Sequence, residues 1–315
     1  MQESTNYTGW KKWCPTAAER TDFELAGKLP FKLLENEYLI ICEDPGLTKP
    51  VQQYCYEDGK LRRVSYGSLK VPKIKLTDST EPTKEDLLNN KNDSKSLRKS
   101  AKKKNKYSNK EEIIYPRNIE QVCAIDLLKN DAKTIKLLTG SWGCGKTMLL
   151  VTSALEMLHE GKVKKIIWIR NNIDVKGTKD LGALPGDIVS KLYNFLGPFI
   201  DYVGKSGVKA MLDNGALEVE PLQSLRGRNF KDSIIRCSEA ENLMAENIQL
   251  IIARAAVNSY VFLDADNRQR DKVEFEKSRG IERLIESLAG ESLFGYVHLT
   301  KSERSATASL ADKIK

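Results

Sequence analysis

Histidine and cysteine are too sparse in this sequence to build a metal-thiolate site. Only two histidines occur among the 315 residues, and the six cysteines are scattered singly, without a CxxC pair or zinc-ligand spacing. Long apolar runs are missing as well: no stretch of 18 apolar residues occurs, and the N-terminus lacks the charged and apolar regions of a secretory signal. We therefore expect a cytoplasmic protein with free thiols and no membrane span.

Net positive charge is concentrated in one short segment. Residues 91–110 carry nine Lys or Arg and one Asp, a net charge of +8 that equals the formal net charge of the whole chain. Because this segment is nearly free of large apolar side chains, it cannot bury enough surface to offset its ordering entropy, and we expect a flexible linker. Two functions stay open for it: a solvated tether between domains, or a non-specific grip on RNA or DNA through counterion release.

The basic linker divides the predicted fold into two parts. Before it, residues 37–43 are predicted to form a strand, and Asp58-Gly59 between two apolar runs is a strong hairpin signal. After it, short apolar strands alternate with helices, which indicates parallel strands joined by crossover helices. The predicted organisation is an arm at residues 1–29, a small antiparallel β unit at 30–76, the linker at 77–110 and an α/β domain at 111–315.

Six segments of the α/β part can be assigned from their patterns. The strands are predicted at 134–140, 164–170, 233–237 and 259–266. Residues 187–203 are predicted to be helical with an interruption near Gly197-Pro198, and residues 218–230 are predicted to form a basic loop.

A phosphate-binding loop follows the first of these strands. The sequence GSWGCGKT satisfies the pattern G-x-x-x-x-G-K-[ST] between a predicted strand and a predicted helix. The backbone N–H groups of such a loop surround phosphate oxygens, the lysine neutralises the β and γ oxygens, and the final hydroxyl binds Mg²⁺. The predicted nucleotide-binding residues are therefore Gly140, Ser141, Trp142, Gly143, Cys144, Gly145, Lys146 and Thr147, with Thr147 as the metal ligand.

A series of short segments follows from about Tyr115 onward: YPRNIEQ at 115–121, the P-loop, KDLGALPGD at 179–187, LRGRNF at 225–230, SEAEN at 238–242, DNRQRD at 266–271, SRGI at 278–281 and LTKSERS at 299–305. In these segments and in their order, the chain resembles the PhoH family of P-loop ATPases, which are related to superfamily-1 helicases. The resemblance implies an α/β P-loop NTPase fold, with a mostly parallel sheet flanked by helices as in RecA and helicases. It also implies ATP and Mg²⁺ as ligands and a hexameric ring.

The N-terminal part has a further resemblance. The β unit and the segment YTGW at 7–10 resemble the connecting region of longer proteins that fuse a PIN nuclease domain to PhoH. The chain leaves no room for a PIN domain, so we expect an ATPase without the attached nuclease.

The resemblance assigns roles to three side chains around the nucleotide. Gln121 matches the glutamine that reads adenine in the family, and a side-chain amide can donate and accept at the same time. Asp266 and Gln269 match a family motif near the γ-phosphate, although Ala265 replaces the glycine of that motif.

Four arginines also match family positions. Arg254 and Arg304 are candidate arginine fingers, which would stabilise charge on the transferring phosphoryl group. Arg226 and Arg228 are candidate contacts to nucleic acid. For each of the four, a structural salt bridge is the alternative.

The segment SIIRCSEAEN departs from the family pattern. The resemblance implies a buried strand that ends in Asp-Glu-Ala-Gln-Asn, where the Asp orients Mg²⁺-bound water and the Glu polarises the attacking water. Here Ser238 replaces the Asp, Glu239 remains as general base, and Arg236 puts a cation on the strand. Loss of the charged acceptor costs about 2 kcal/mol, which predicts slower hydrolysis with ATP binding retained. Asp264 or Asp266 on the neighbouring strand could supply part of the missing charge.

The P-loop and the family resemblance together imply an ATPase whose catalytic residues are Lys146, Glu239, Asp266 and Gln269, with hydrolysis attenuated by the Ser238 departure. Remodelling of single-stranded RNA is an activity that the basic segments could support. The alternative is a nucleotide-dependent binding or oligomerisation protein with little or no hydrolysis. A small-molecule kinase would keep the P-loop but has no support from the resemblance.

Overall fold

A small mixed sheet forms the N-terminal part of the computed structural model, which describes residues 7–72, 112–170, 196–266 and 273–304. Its elements are β1 (Trp10–Trp13), the helix α1 (Ala17–Ala26), β2 (Tyr38–Cys42), β3 (Pro50–Glu57) and β4 (Lys60–Arg63). The strand order is β1-β2-β3-β4, with β1 parallel to β2 and the other pairs antiparallel. The predicted antiparallel unit is therefore confirmed, with one parallel strand added to it.

The hairpin predicted at Asp58-Gly59 joins β3 to β4. Both turn residues have positive φ, 51° at Asp58 and 75° at Gly59, as a type I′ turn requires. The strand predicted at 37–43 is β2, and all five of its side chains are buried. Turn chemistry and an apolar run were sufficient to predict this part of the fold.

The first described residues of the predicted N-terminal arm pack against the body of the protein. Its strand β1 pairs with β2, and the Trp10 indole N–H donates to the His298 carbonyl oxygen at 2.8 Å. The Tyr7 and Tyr296 rings lie 5.8 Å apart, centroid to centroid. A Cβ at Gly9 would overlap the backbone of Tyr296, so the arm packs closely against the C-terminal strand of the main sheet.

Two short strands flank the predicted linker. They are β5 (Leu69–Val71) and β6 (Glu112–Ile114), and they form an antiparallel pair in which Leu69 lies opposite Ile114. The predicted linker itself lies outside the described residues. Since paired strands are about 4.8 Å apart, the points where the chain leaves β5 and enters β6 are close together.

Within the described residues, the main sheet has six strands, all parallel. They are β7 (Ile135–Gly140), β8 (Lys165–Arg170), β9 (Leu217–Pro221), β10 (Ser233–Cys237), β11 (Tyr260–Ala265) and β12 (Phe294–Leu299). Their order is β12-β7-β11-β10-β8-β9. The predicted parallel α/β sheet is confirmed. Because β11 lies between β7 and β10, the carboxyl ends of these three strands meet at one edge.

Helices cover both faces of the main sheet. They are α2 (Ile119–Lys129), α3 (Lys146–His159), α4 (Gly197–Asp213), α5 (Ala245–Ile252), α6 (Val273–Ser278) and α7 (Gly280–Leu288). Neighbouring strand residues face opposite sides: Ile234 belongs to an apolar cluster that includes residues of α2, α3 and α4, whereas Ile235 belongs to a cluster that includes residues of α5 and α7. Within the described ranges, no helix has the length and apolar character needed to cross a bilayer.

Two predictions about local structure need correction. Residues 218–230 are not all loop, because the edge strand β9 takes up 217–221 and a 3-10 helix takes up 222–225. The helix predicted at 187–203 begins, where it is described, at Gly197 with Pro198 in its first turn, and Gly204, with non-helical φ and ψ of 72° and 167°, separates it from a second helical segment that ends at Asp213. Its residues before 196 lie outside the described part of the chain.

Candidate nucleotide-binding and catalytic site

The predicted phosphate-binding loop connects β7 to α3 at the carboxyl edge of the main sheet. Gly140 and Gly143 have φ of 142° and 73°, which side chains other than glycine rarely adopt. Space is also short at Gly140, since a Cβ there would overlap the carbonyl oxygen of Leu299 at the end of β12. The loop therefore packs directly against β12, and its conformation requires glycine.

The Lys146 side chain lies inside the loop that precedes it. Its ammonium donates to the carbonyl oxygens of Gly140 at 2.7 Å and Ser141 at 2.9 Å, and the residue is only 8% exposed. Because Lys146 is also the first residue of α3, its charge adds to the positive end of that helix. The arrangement concentrates positive charge where a phosphate group would bind.

Gln121 is buried against the same loop. Its amide nitrogen donates to the Cys144 carbonyl oxygen at 3.0 Å, and its amide oxygen accepts from the Arg117 backbone N–H at 2.8 Å. These bonds leave one N–H and one oxygen lone pair of the amide. The role of Gln121 in reading adenine stays a prediction.

The Thr147 hydroxyl, the predicted metal ligand, contacts an acid on the neighbouring strand. Its Oγ1 donates to Oδ2 of Asp264 at 2.8 Å. The other oxygen of Asp264 forms an ion pair with Arg236 on β10. Arg236 is completely buried, and its guanidinium lies over the Trp168 ring at 5.4 Å. The buried cation on β10, Arg236, therefore has an acidic partner, Asp264, which also contacts the last residue of the P-loop.

A cavity of about 300 Å³ opens between the P-loop and the ends of β10 and β11. The ionisable residues that line it are Glu239, Glu241, Asp264, Asp266, Lys146 and Arg304. Three of the four predicted catalytic residues are thus brought together. Gln269 lies outside the described residues, and its role stays a prediction.

Glu241 is a residue of this cavity that sequence reasoning passed over. It is almost fully buried, and burial raises the pKa of its carboxyl to about 8. Burial therefore favours the neutral form of this carboxyl, at the position where the family resemblance implies a neutral glutamine. The signal in the sequence was the second Glu of SEAEN.

Arg304 lies over the P-loop of its own chain. Its guanidinium is 5.2 Å from the centre of the Trp142 ring, and a Cβ added to Gly143 would overlap its side chain. The preceding residue, Glu303, donates its backbone N–H to the Gly143 carbonyl oxygen at 2.9 Å. Arg304 therefore reaches the pocket without a second subunit.

Arg254 occupies the opposite edge of the sheet. It follows α5, and its guanidinium donates to the Arg228 carbonyl oxygen at 3.2 Å, near the amino ends of β10 and β11. It could reach a nucleotide only in a neighbouring subunit, and its role as an arginine finger stays a prediction.

The two predicted nucleic-acid contacts differ in their surroundings. Arg228 forms ion pairs with Glu218 and Glu220 of β9, and its hydrogen bond to Glu220 raises the pKa of its guanidinium. These partners leave less of its charge available to a phosphate backbone. Arg226 is exposed. Nucleic-acid contact stays a prediction for both.

Comparison with known proteins bears on this pocket. The family described as PhoH-like protein matches residues 113–314. The chain belongs to the PhoH family. It is similar to Protein PhoH2 of Mycolicibacterium smegmatis, with 33% identity over 202 residues (63% of this chain and 46% of that protein), and to Protein PhoH2 of Bacillus subtilis, with 32% identity over 208 residues (63% and 47%). Protein PhoH of Escherichia coli K12 is 29% identical over 179 residues (55% and 50%).

The PhoH match covers the P-loop, the acidic cavity and both strands that build it. It confirms the family resemblance and, with the parallel sheet, the P-loop NTPase fold. The chain spans about half the length of the curated PhoH relatives it matches. The resemblance to PIN fusion proteins stays a prediction.

Proposed function

We propose that this PhoH-family chain is a Mg²⁺-dependent ATPase. The observation that carries the proposal is the convergence of Lys146, Thr147, Glu239 and Asp264 on one cavity at the carboxyl edge of the sheet. Such a cavity combines a cation for the terminal phosphates, oxygen ligands for a metal and an acid for the attacking water. Gln121, next to the loop, supports adenine as the base.

The oxygen donors beside the loop fit Mg²⁺. Thr147 Oγ1 and Asp264 Oδ2 are 2.8 Å apart, so the hydroxyl would bind the ion while the carboxylate accepts from one of its water ligands. Both are hard oxygen ligands, which Mg²⁺ prefers. The bound ion would neutralise charge on the β and γ oxygens.

We assign the remaining steps to side chains of the same cavity. Lys146 would exchange the Gly140 and Ser141 carbonyls for terminal phosphate oxygens. Glu239 would accept the proton of the attacking water as general base, and Asp266 would hold that water in place. Arg304 would add positive charge from the same chain, whereas Arg254 would act only across the hexamer that the family resemblance implies.

The proposed ATPase is tested by Glu239→Gln. We expect this variant to lose at least about 99% of steady-state turnover, because an amide cannot accept the proton of the attacking water and general-base catalysis contributes roughly 100-fold or more. ATP affinity should change little, because the loop supplies most contacts. Glu286→Gln, an exposed acid of α7, is the matched control and should keep the parent rate. Equal turnover in Glu239→Gln and the parent would remove Glu239 as the base.

A second candidate function is a nucleotide-dependent binding or oligomerisation protein with little hydrolysis. Ser238 favours it, because a neutral hydroxyl stands where the family pattern has an acid. Sedimentation with and without ATP and Mg²⁺ separates the two. A nucleotide-dependent change of assembly, together with parent turnover no higher than that of Glu239→Gln, would favour this function over the ATPase.

A deletion in the basic linker tests the part of the proposal that concerns single-stranded RNA. Deleting residues 91–110 should leave ATP binding unchanged, since β5 and β6 already hold the flanking chain together. RNA association should weaken. The slope of log K against the logarithm of the salt concentration should become less negative by up to about six units if all nine cations contact phosphate. Fluorescence anisotropy with a labelled single strand at several salt concentrations measures both. Equal slopes would leave only a tether, and a DNA strand of the same sequence would show which nucleic acid is preferred.

A further inference from the structure

Three unusual residues meet on neighbouring strands beside the P-loop. On β10, Arg236 lies in the strand and Ser238 follows its end; on β11, the penultimate residue is Asp264. The parallel register pairs Arg236 with Phe262 and Cys237 with Leu263. Continued by one residue, the same register sets Ser238 beside Asp264. The acid that is missing from β10 is thus present at the neighbouring position on β11.

Asp264 has the contacts that a metal-organising acid needs. One oxygen accepts from the Thr147 hydroxyl at 2.8 Å, and the residue lines the cavity with Lys146. Its side chain is only 5% exposed, so water competes little for its charge. From this position the carboxylate faces the same hydroxyl that would bind the ion.

Arg236 gives the buried acid a fixed position. A guanidinium inside a strand is costly to bury unless a carboxylate pairs with it. Here the ion pair with Asp264 is supported by a hydrogen bond to the Cys237 carbonyl oxygen and by the Trp168 ring below the guanidinium. The cation therefore restricts Asp264 to the orientation in which its second oxygen meets Thr147.

We propose that the acid that organises the Mg²⁺ water shell has moved from β10 to β11, with Asp264 in that role and Arg236 as its positioning residue. The inference rests on the proposed function, because it assigns a residue to the same ATP and Mg²⁺ site. It adds that the site keeps its metal-organising charge although Ser238 is neutral. The charge remains, one strand closer to the P-loop strand β7.

The test is the effect of Mg²⁺ on ATP affinity, measured by calorimetry in excess Mg²⁺ and in EDTA. In the parent we expect Mg²⁺ to tighten binding. The gain is the ratio of the dissociation constant for ATP in EDTA to that in excess Mg²⁺. In Asp264→Asn we expect this ratio to be about tenfold smaller than in the parent, because a neutral amide accepts more weakly than a carboxylate from metal-bound water. Affinity in EDTA should change less than about twofold. Asp232→Asn makes the same chemical change at the opposite edge of the sheet and should bind like the parent.

The relocation itself is tested by returning the acid to β10. The Ser238→Asp, Asp264→Asn double variant should regain most of the Mg²⁺ effect, because the continued register sets residue 238 beside residue 264 and we expect Arg236 to pair with the new carboxylate. If Asp264→Asn leaves Arg236 unpaired and fails to fold, Arg236→Met, Asp264→Asn removes the buried charges together and should show the same loss of the Mg²⁺ effect.

The outcomes separate this inference from the proposed function. A parent that does not bind ATP in either condition overturns both. A parent that binds ATP more tightly with Mg²⁺, together with folded Asp264 variants that keep the full Mg²⁺ effect, overturns the relocation alone. Loss in the Asp264 variants without recovery in the Ser238→Asp double variant would leave Asp264 as the acid but contradict the equivalence of the two positions.

Discussion

Replacing Lys146 with alanine is expected to lower the affinity for ATP with Mg²⁺ by at least about a hundredfold. The ammonium lies at the centre of the P-loop, 2.7 Å and 2.9 Å from two loop carbonyl oxygens, where terminal phosphate oxygens would replace those acceptors. Two hydrogen bonds to charged groups contribute about 1.5 kcal/mol or more each. Their loss, about 3 kcal/mol, corresponds to more than a hundredfold in the dissociation constant, which calorimetry measures directly.

Lys164→Ala is the matched control for Lys146→Ala. Lys164 is 79% exposed and pairs with Asp232 at the amino edge of the sheet, opposite the P-loop. Its replacement should leave ATP affinity unchanged, and circular dichroism should show the parent fold for both variants. If Lys146→Ala binds ATP as tightly as the parent, the P-loop cavity is not the nucleotide site of this chain.

The four inner strands of the main sheet could be predicted, and its two edge strands could not. Strands β7, β8, β10 and β11 are short apolar runs, which is the pattern of strands buried on both faces. In β9, Glu218 and Glu220 pair with Lys165 and Arg228, so the charged sequence has the pattern of a loop. Edge strands tolerate such charges because water reaches one side.

The last strand was missed for a different reason. The edge of β12 is covered by the N-terminal arm: the His298 backbone N–H donates to the Thr8 carbonyl oxygen at 2.9 Å. The two residues are far apart in the sequence, and periodicity describes only near neighbours along the chain. The arm at residues 1–29 could therefore be predicted, but not the strand that it covers.

Contacts between residues far apart in the sequence were also missed in the candidate site. The position of the P-loop between a strand and a helix could be predicted, because its residues belong to one continuous motif. The contact between Thr147 and Asp264 joins residues 117 positions apart, and it depends on which strand lies next to β7. The sequence alone therefore marked Ser238 as a loss and left Asp264 and Asp266 as equal candidates for the missing charge; the contact with Thr147 singles out Asp264.

Arg236→Met is expected to be the most destabilising single replacement at this edge of the sheet. It leaves the carboxylate of Asp264 buried without its cation, and breaking a buried ion pair from one side costs about 3–5 kcal/mol. For a domain of roughly 200 residues this corresponds to a fall in Tm of about 6–20 °C. Urea unfolding followed by circular dichroism measures the free energy, provided that the m-values of variant and parent agree.

The double variant Arg236→Met, Asp264→Asn should recover most of this loss, because both buried charges are removed together and the amide can still accept from Thr147. A thermodynamic cycle over the parent, the two single variants and the double variant then gives the coupling between the side chains, which we expect to exceed about 2 kcal/mol. Lys209→Met breaks an exposed helical pair with Asp213 and should cost less than about 1 kcal/mol. If Arg236→Met costs no more than this control, Arg236 does not hold Asp264. The carboxylate would then owe its position to Thr147 and the strand alone, and the Mg²⁺ response of the Arg236→Met variant should equal that of the parent.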